Sequence, residues 1–210
     1  ISHDRTCVGK RTYLQEDGLE ILIMKERILR IPEVDVKRVV ITGGPGTGKT
    51  SLILKLEELG YPVCYEQARA FIQKAHRSEG GVSPWTDLMA FSEKVLNARL
   101  DDYQKAQVGN FNFYDRGLPD ALAYLHRDGK TLPDDWISLV MAYRYEPTVF
   151  IAPPWDEIFH KDEERLENFT ELVDIHEHLV NTYDNLGYRL CELPLLSIEE
   201  RIEFIIDELS

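Results

Sequence analysis

The chain has 210 residues, of which 43% are hydrophobic and 29% are charged, close to the averages of globular proteins. This length is enough to bury a core without disulfides or structural metals. The formal net charge of -13 repels nucleic-acid backbones and anionic lipid surfaces, so we expect neither as a partner.

No segment approaches the roughly 18 consecutive apolar residues that a membrane-spanning helix needs, and no secretory signal is recognisable. The three cysteines, Cys7, Cys64 and Cys191, lie far apart and form no C-x-x-C pair. That pattern suits neither a disulfide framework nor a zinc site. We therefore expect a cytoplasmic protein.

Residues 1–37 differ from the rest of the sequence because they lack its alternation of strand and helix patterns. Asp17-Gly18 lies between two apolar stretches, which favours a hairpin turn there. Met24 precedes the first convincing element, which favours a remnant of processing or cloning. We expect an N-terminal extension of one of these two kinds over residues 1–37.

From residue 38 onward, short β-branched and aromatic runs alternate with helical patterns, as in βαβ units with a parallel sheet. Five strands are predicted, at Arg38–Thr42, Pro62–Glu66, Asn110–Asp115, Thr148–Ala152 and Tyr188–Glu192. Amphipathic helices with a period of about 3.6 residues are predicted at Pro84–Lys105, Leu166–Tyr183 and Ile198–Leu209. We expect a single α/β domain over residues 38–210.

A phosphate-binding motif follows the first predicted strand. Gly43-Gly44-Pro45-Gly46-Thr47-Gly48-Lys49-Thr50 matches G-x-x-x-x-G-K-[ST], and a predicted helix, Ser51–Leu59, comes next, as the motif requires. Glycines let backbone N–H groups turn toward phosphates, and the helix N-terminus favours negative charge. We expect Lys49 to neutralise the β- and γ-phosphates of a nucleoside triphosphate, and the Thr50 hydroxyl to bind Mg²⁺. These eight residues and Ser51 are the predicted nucleotide-binding set.

Two acidic residues are predicted at the carboxyl ends of strands, where ligand sites of parallel sheets lie. Asp115 ends the third strand and is a candidate Mg²⁺ ligand, with an N-cap of the helix Leu118–His126 as the alternative. Arg116 beside it is a candidate contact of the transferred phosphate. Glu66 ends the second strand and is a candidate for receiving the proton of an attacking hydroxyl. Its alternative role is to complement a helix dipole.

A charged helical segment follows Pro153-Pro154-Trp155, which interrupts the chain after the fourth strand. Lys161 and Arg165 share one face of that segment. We interpret residues 153–167 as a lid over the phosphates and Arg165 as a catalytic contact. A solvated helix carrying i, i+4 charge pairs is the alternative.

These motifs resemble the AAA-domain ATPases related to the ribosylnicotinamide kinase domain, within the P-loop kinase-like NTPases. The resemblance extends from about Lys37 to Leu209 and includes Gly43–Thr50, Glu66–Arg69, Tyr114–Gly117, Pro153–Trp155, Asp162–Arg165 and Leu186–Tyr188. It implies a three-layer sandwich with a lid, in which a five-stranded parallel sheet in the order 2-3-1-4-5 has helices on both faces. It also implies that Glu66 occupies the acceptor position and Asp115 the metal position.

The expected function is transfer of the γ-phosphate of ATP to a hydroxyl of a small, nucleoside-like acceptor, with Mg²⁺ as cofactor. The candidate catalytic residues are Lys49, Glu66, Asp115, Arg116 and Arg165. ATP is favoured over GTP because no N-K-x-D base-reading sequence occurs, and the base is expected near Leu193–Ser197. The sequence also resembles nucleotide- and lipid-binding trafficking factors of the same group. A nucleotide-dependent switch or ATPase that binds a protein or lipid is therefore the alternative.

Overall fold

A computed structural model describes residues 36–77, 81–158 and 168–210. The predicted hairpin at Asp17-Gly18, together with Lys161 and Arg165 of the predicted lid, therefore lies outside the described residues. All the described elements belong to one compact unit, Val34–Ser210. In this part of the chain, no helix is both long enough and apolar enough to cross a bilayer.

Five parallel strands form one sheet in the order β2-β3-β1-β4-β5, as predicted. They are β1 (Lys37–Gly43), β2 (Val63–Cys64), β3 (Phe111–Asp115), β4 (Thr148–Ala152) and β5 (Arg189–Glu192). In the register, Ile41 of the central strand lies opposite both Asp115 and Phe150. Strand β2 is shorter than predicted because Pro62 has no N–H to donate and Glu66 already caps the following helix.

The described residues form seven α-helices and a 3₁₀ turn at Asp156–Ile158. The helices are α1 (Lys49–Glu58), α2 (Gln67–His76), α3 (Leu88–Gln104), α4 (Leu118–Arg127), α5 (Asp134–Ala142), α6 (Phe169–Asn185) and α7 (Ile198–Leu209). No sequence range was predicted for α2 or α5. Helix α2 has no buried residue, and α5 has only nine residues.

Helices cover both faces of the sheet, as in the predicted three-layer sandwich. On one face, Val39 and Ile41 of β1 pack in a core with residues of α1 and α7. On the other face, Val40 and Tyr183 of α6 both lie beside Gly117, close to where a Cβ would stand. Because all five strands are parallel, their carboxyl ends meet along one edge, and the predicted site residues that the structure describes lie along it.

Candidate active site

The segment between β1 and α1 forms a tight loop around a helix N-terminus. Gly43, Gly46 and Gly48 have φ angles of 139°, 76° and 83°, in the left-handed region that favours glycine. A Cβ on Gly44 would overlap Leu172 Cδ1 of α6, so that helix lies directly against the loop. The loop therefore requires glycine both for its turns and for this close approach, and its N–H groups are available for phosphate.

Lys49 lies inside this loop and is only 6% exposed. Its ammonium donates hydrogen bonds to Gly44 O at 2.6 Å and to Thr47 Oγ1 at 3.3 Å. Burial, and after it the charge of Arg116, lowers the pKa of Lys49 to about 7. A bound phosphate would favour the charged ammonium, because a nearby opposite charge favours the ionised form.

The two predicted metal ligands come together in the fold, with Thr50 Oγ1 at 3.5 Å from Asp115 Oδ2. Asp115 is 4% exposed, and within the described structure its Oδ1 has no hydrogen-bond partner. Burial raises the pKa of Asp115, against the opposing effect of Lys49. A buried carboxylate oxygen without a partner is costly. A carboxylate and a hydroxyl placed in this way fit Mg²⁺, which prefers oxygen ligands.

Asp115 does not cap the following helix. The N-cap of α4 is Gly117, and Asp120 Oδ2 accepts a hydrogen bond from Gly117 N at 2.9 Å. The alternative role of Asp115 as an N-cap is therefore wrong, because Asp120 makes the stabilising contact at this helix end.

Glu66 lies between two guanidinium groups, with its side chain 19% exposed. Its Oε1 accepts a hydrogen bond from Arg99 at 2.9 Å, and its Oε2 forms an ion pair with Arg116. Burial would raise the pKa of Glu66, but Arg116, Arg99 and Lys49 together hold it at about 2. Glu66 also caps α2 by accepting a hydrogen bond from Ala68 N. Glu66 therefore lies at the start of a helix and between two guanidinium groups, as an ionised and weakly basic carboxylate.

Arg116 has a φ of 74°, the one positive value among the described residues other than glycine. Such a conformation costs of order 1–3 kcal/mol and persists only where surrounding contacts hold it. Here the Arg116 guanidinium pairs with Glu66 and lies 3.3 Å from Asp120 Oδ1, while its backbone N–H donates to Ile41 O. The ion pairs of Arg116 with Glu66 and Asp120 therefore hold the turn after β3 in place.

Asp120 and Arg99 were not predicted from the sequence. Asp120 is fully buried and accepts hydrogen bonds from Thr42 Oγ1 at 2.6 Å and from Tyr183 Oη at 2.5 Å. In the sequence, its position in the first turn of a helix indicates only ordinary capping. Arg99 belongs to α3, where a single arginine in an amphipathic pattern gives no sign of a buried ion pair.

A cleft of about 410 Å³ opens beside the loop. Its lining includes Gly46, Lys49, Thr50, Ser51, Trp155, Leu196, Ile198 and Arg201. Leu196 and Ile198 are exposed apolar side chains, which suits a wall for a nucleoside base. Leu193, within the range expected for the base, packs in the core instead.

The sheet order, the glycine-rich loop and the Thr50–Asp115 pair define a P-loop domain of the kinase-like type. The profile of an AAA domain family matches residues 38–201. The chain belongs to that family.

Solved structures with the same fold include several kinases. Deoxyadenosine kinase from M. mycoides with bound dATP aligns with a TM-score of 0.59 at 14% identity, over 82% of this chain and 98% of that one. Thymidylate kinase from Candida albicans aligns with a TM-score of 0.61 at 12% identity, over 85% of this chain and 92% of that one. The NadR protein in complex with NR aligns with a TM-score of 0.60 at 16% identity, over 83% of this chain and 50% of that one. No match is found among curated protein sequences.

The Asp120 contacts predict a large effect on stability. Replacing Asp120 with Asn should lower the free energy of unfolding by about 3 kcal/mol, because a buried charged acceptor of four donors is lost. Urea titration measures this change. Asp128→Asn, at an exposed position after α4, is the matched control and should change stability by less than about 0.5 kcal/mol. Equal effects of the two changes would contradict the role assigned to Asp120.

The pKa of Glu66 predicts a pH-dependent contribution to stability. Its pKa falls from an ordinary 4.5 to about 2 in the folded protein, so its ionised form stabilises the fold above pH 4.5. That contribution is lost as the pH falls from 4.5 toward 2. Glu66→Gln should therefore destabilise the protein by about 1–3 kcal/mol at pH 7, and the difference should shrink in acid.

Urea unfolding of wild type and Glu66→Gln between pH 7 and pH 3 measures this difference. Glu58→Gln removes an exposed carboxylate that pairs with Lys55 and serves as the control, with an expected effect below about 1 kcal/mol. A Glu66→Gln difference that stays constant down to pH 3 would rule out the paired carboxylate as its source.

Proposed function

We propose that this protein is a Mg²⁺-dependent kinase that transfers the γ-phosphate of ATP to a hydroxyl of a small, nucleoside-like acceptor. The observation that carries the proposal is the Thr50–Asp115 pair at 3.5 Å, next to the buried Lys49 ammonium and the glycine-rich loop. The kinase fold of the deoxyadenosine and thymidylate kinases supports the same reaction class, and the substrate in the name of the deoxyadenosine kinase supports a nucleoside-like acceptor.

On the donor side, the loop N–H groups and Lys49 would bind the β- and γ-phosphates. The Lys49 ammonium now donates to two acceptors of the loop itself, which places it where a phosphate can replace them. Thr50 and Asp115 would hold Mg²⁺, which when bound neutralises charge on the β- and γ-phosphates. The unpartnered Oδ1 of Asp115 supports this assignment, because a buried carboxylate oxygen needs a partner.

On the acceptor side, Glu66 would orient the attacking hydroxyl by accepting its hydrogen bond. With a pKa of about 2, Glu66 is too weak a base to remove the proton before the phosphate moves. Phosphoryl transfer passes through a loose transition state in most analyses, so early proton removal is not required. Catalysis would then depend mainly on how accurately the attacking hydroxyl is positioned against the γ-phosphate.

Arg116 and Arg99 would position Glu66, since each pairs with one oxygen of its carboxylate. Arg116 also adds positive charge beside Asp115, which would favour charge developing on the transferred group. Arg165 keeps its predicted role as a contact of that group, at a position outside the described residues.

A ligand screen tests the reaction class. Mg-ATP and ADP should raise the melting temperature, and one nucleoside-like compound should raise it further, because ligands that bind the folded state stabilise it by mass action. That compound should then accept phosphate from labelled ATP. Lys49→Ala should abolish the nucleotide shift with little change in the melting temperature of the free protein. Nucleotide binding without any acceptor would favour a switch or an ATPase instead.

Replacing Asp115 with Asn tests the metal assignment. The affinity for ATP in the presence of Mg²⁺ should fall by at least about tenfold, whereas the Mg-free affinity should change little, because a neutral amide is a poor ligand for a hard cation. Calorimetric titration with and without Mg²⁺ measures both affinities. Equal losses under the two conditions would remove Asp115 from the metal site.

A further inference from the structure

Arg201 of α7 lies in the wall of the nucleotide cleft, and it was not among the residues predicted from the sequence. The residue is only 2% exposed. Its Nη1 lies 3.5 Å from Thr47 O, and a Cβ on Gly48 would stand 3.1 Å from the same nitrogen. The guanidinium therefore rests against the phosphate loop.

The charge of Arg201 has no acidic partner within residues 36–77, 81–158 and 168–210. Its Nε also lacks a hydrogen-bond partner in this part of the chain, and burial lowers the pKa of the guanidinium. Arg99 and Arg116, which are equally buried, each pair with a carboxylate. A buried, unpaired cation costs stability in the free protein, and its position in a cleft points to an anionic ligand.

The position of Arg201 indicates which part of a ligand it meets. Ile198 lies one helical turn earlier on α7, and it forms an apolar wall of the cleft together with Leu196. On its other side, Arg201 touches Thr47 and Gly48 of the phosphate loop. Arg201 thus stands where an apolar surface suited to a base meets the surface suited to phosphates. In a nucleotide, the ribose joins the base to the phosphates, so the phosphate on the base side of the phosphate loop is the one attached to the ribose.

We propose that Arg201 binds the phosphate group nearest to the nucleoside and thereby makes the cleft select nucleotides over nucleosides without help from Mg²⁺. The inference rests on the proposed function, since it takes the cleft to be the nucleotide site. A guanidinium suits this contact because its planar N–H groups can bind two phosphate oxygens at once.

A purely structural role is the competing explanation, in which Arg201 fastens α7 to the loop through Thr47 O. That contact, at 3.5 Å, is at the outer limit of a hydrogen bond. A structural role requires only a donor at this position. A phosphate-binding role requires the charge.

The test compares Arg201→Met, which removes charge and donors, with Arg201→Gln, which keeps donors for Thr47 O. Both variants should weaken Mg-free binding of ADP by about ten- to a hundredfold, as the loss of a hydrogen bond between charged groups does. Calorimetric titration gives the affinities. Arg189→Met removes an exposed arginine of β5 and is the matched control, with unchanged ADP affinity. The melting temperature of free Arg201→Met should stay level or rise, because a desolvated charge is gone.

A comparison of AMP with ADP shows which phosphate Arg201 contacts, because AMP carries only the phosphate attached to the ribose. If Arg201 contacts the phosphate nearest to the nucleoside, Arg201→Met should weaken AMP and ADP binding by the same factor. A loss confined to ADP would overturn this assignment in favour of the next phosphate.

Two further outcomes are distinguishable. If the wild-type protein binds ADP and the ADP affinity of Arg201→Gln is within twofold of the wild-type value, the inference about Arg201 is wrong while the proposed function stands. If the wild-type protein binds no adenine nucleotide, the proposed function fails and the inference fails with it.

Discussion

The buried carboxylate of Asp120 is the contact on which the geometry of the site depends. It accepts hydrogen bonds from Thr42 at the end of β1, from Gly117 after β3 and from Tyr183 of α6. It also lies 3.3 Å from the Arg116 guanidinium. Since the phosphate loop leaves β1 directly after Thr42, one fully buried group fixes the loop relative to the turn that carries Asp115. A displaced carboxylate would leave several buried donors without a partner.

Basic and acidic side chains face one another at this sheet edge, within a protein of net charge -13. The three basic groups are Lys49, Arg99 and Arg116, and the three acidic groups are Glu66, Asp115 and Asp120. A triphosphate bound as proposed would therefore meet basic and acidic groups together rather than an acidic surface. Arg201, without a carboxylate in the described structure, adds positive charge on the cleft side. The fields that matter to a phosphate are local, because charges beyond about 10 Å are screened by salt.

The resemblance to P-loop kinase-like NTPases predicts the sheet order, whereas local patterns and parallel-strand topology predict that Thr50 and Asp115 lie close together. A strand–loop–helix motif fixes Thr50, and the carboxyl end of a buried strand fixes Asp115. Arg99 and Arg201 could not be predicted, because their contacts are not local in the sequence. Their partners lie 33 and 154 residues away in sequence, at Glu66 and Thr47. Such contacts depend on helix packing, which no local pattern encodes.

The residues proposed for the metal and for the acceptor are linked through one short turn. Asp115, the candidate metal ligand, is followed directly by Arg116, which pairs with Glu66, the carboxylate proposed for the acceptor side. The positive φ of Arg116 turns its side chain toward Glu66 while its N–H stays bonded to Ile41 O of the neighbouring strand. A shift of this turn would move Asp115 and, with it, the guanidinium that pairs with Glu66. Since phosphoryl transfer depends on alignment of the two substrates, the proposed function would use this link, in which Asp115 and the arginine that pairs with Glu66 are adjacent residues.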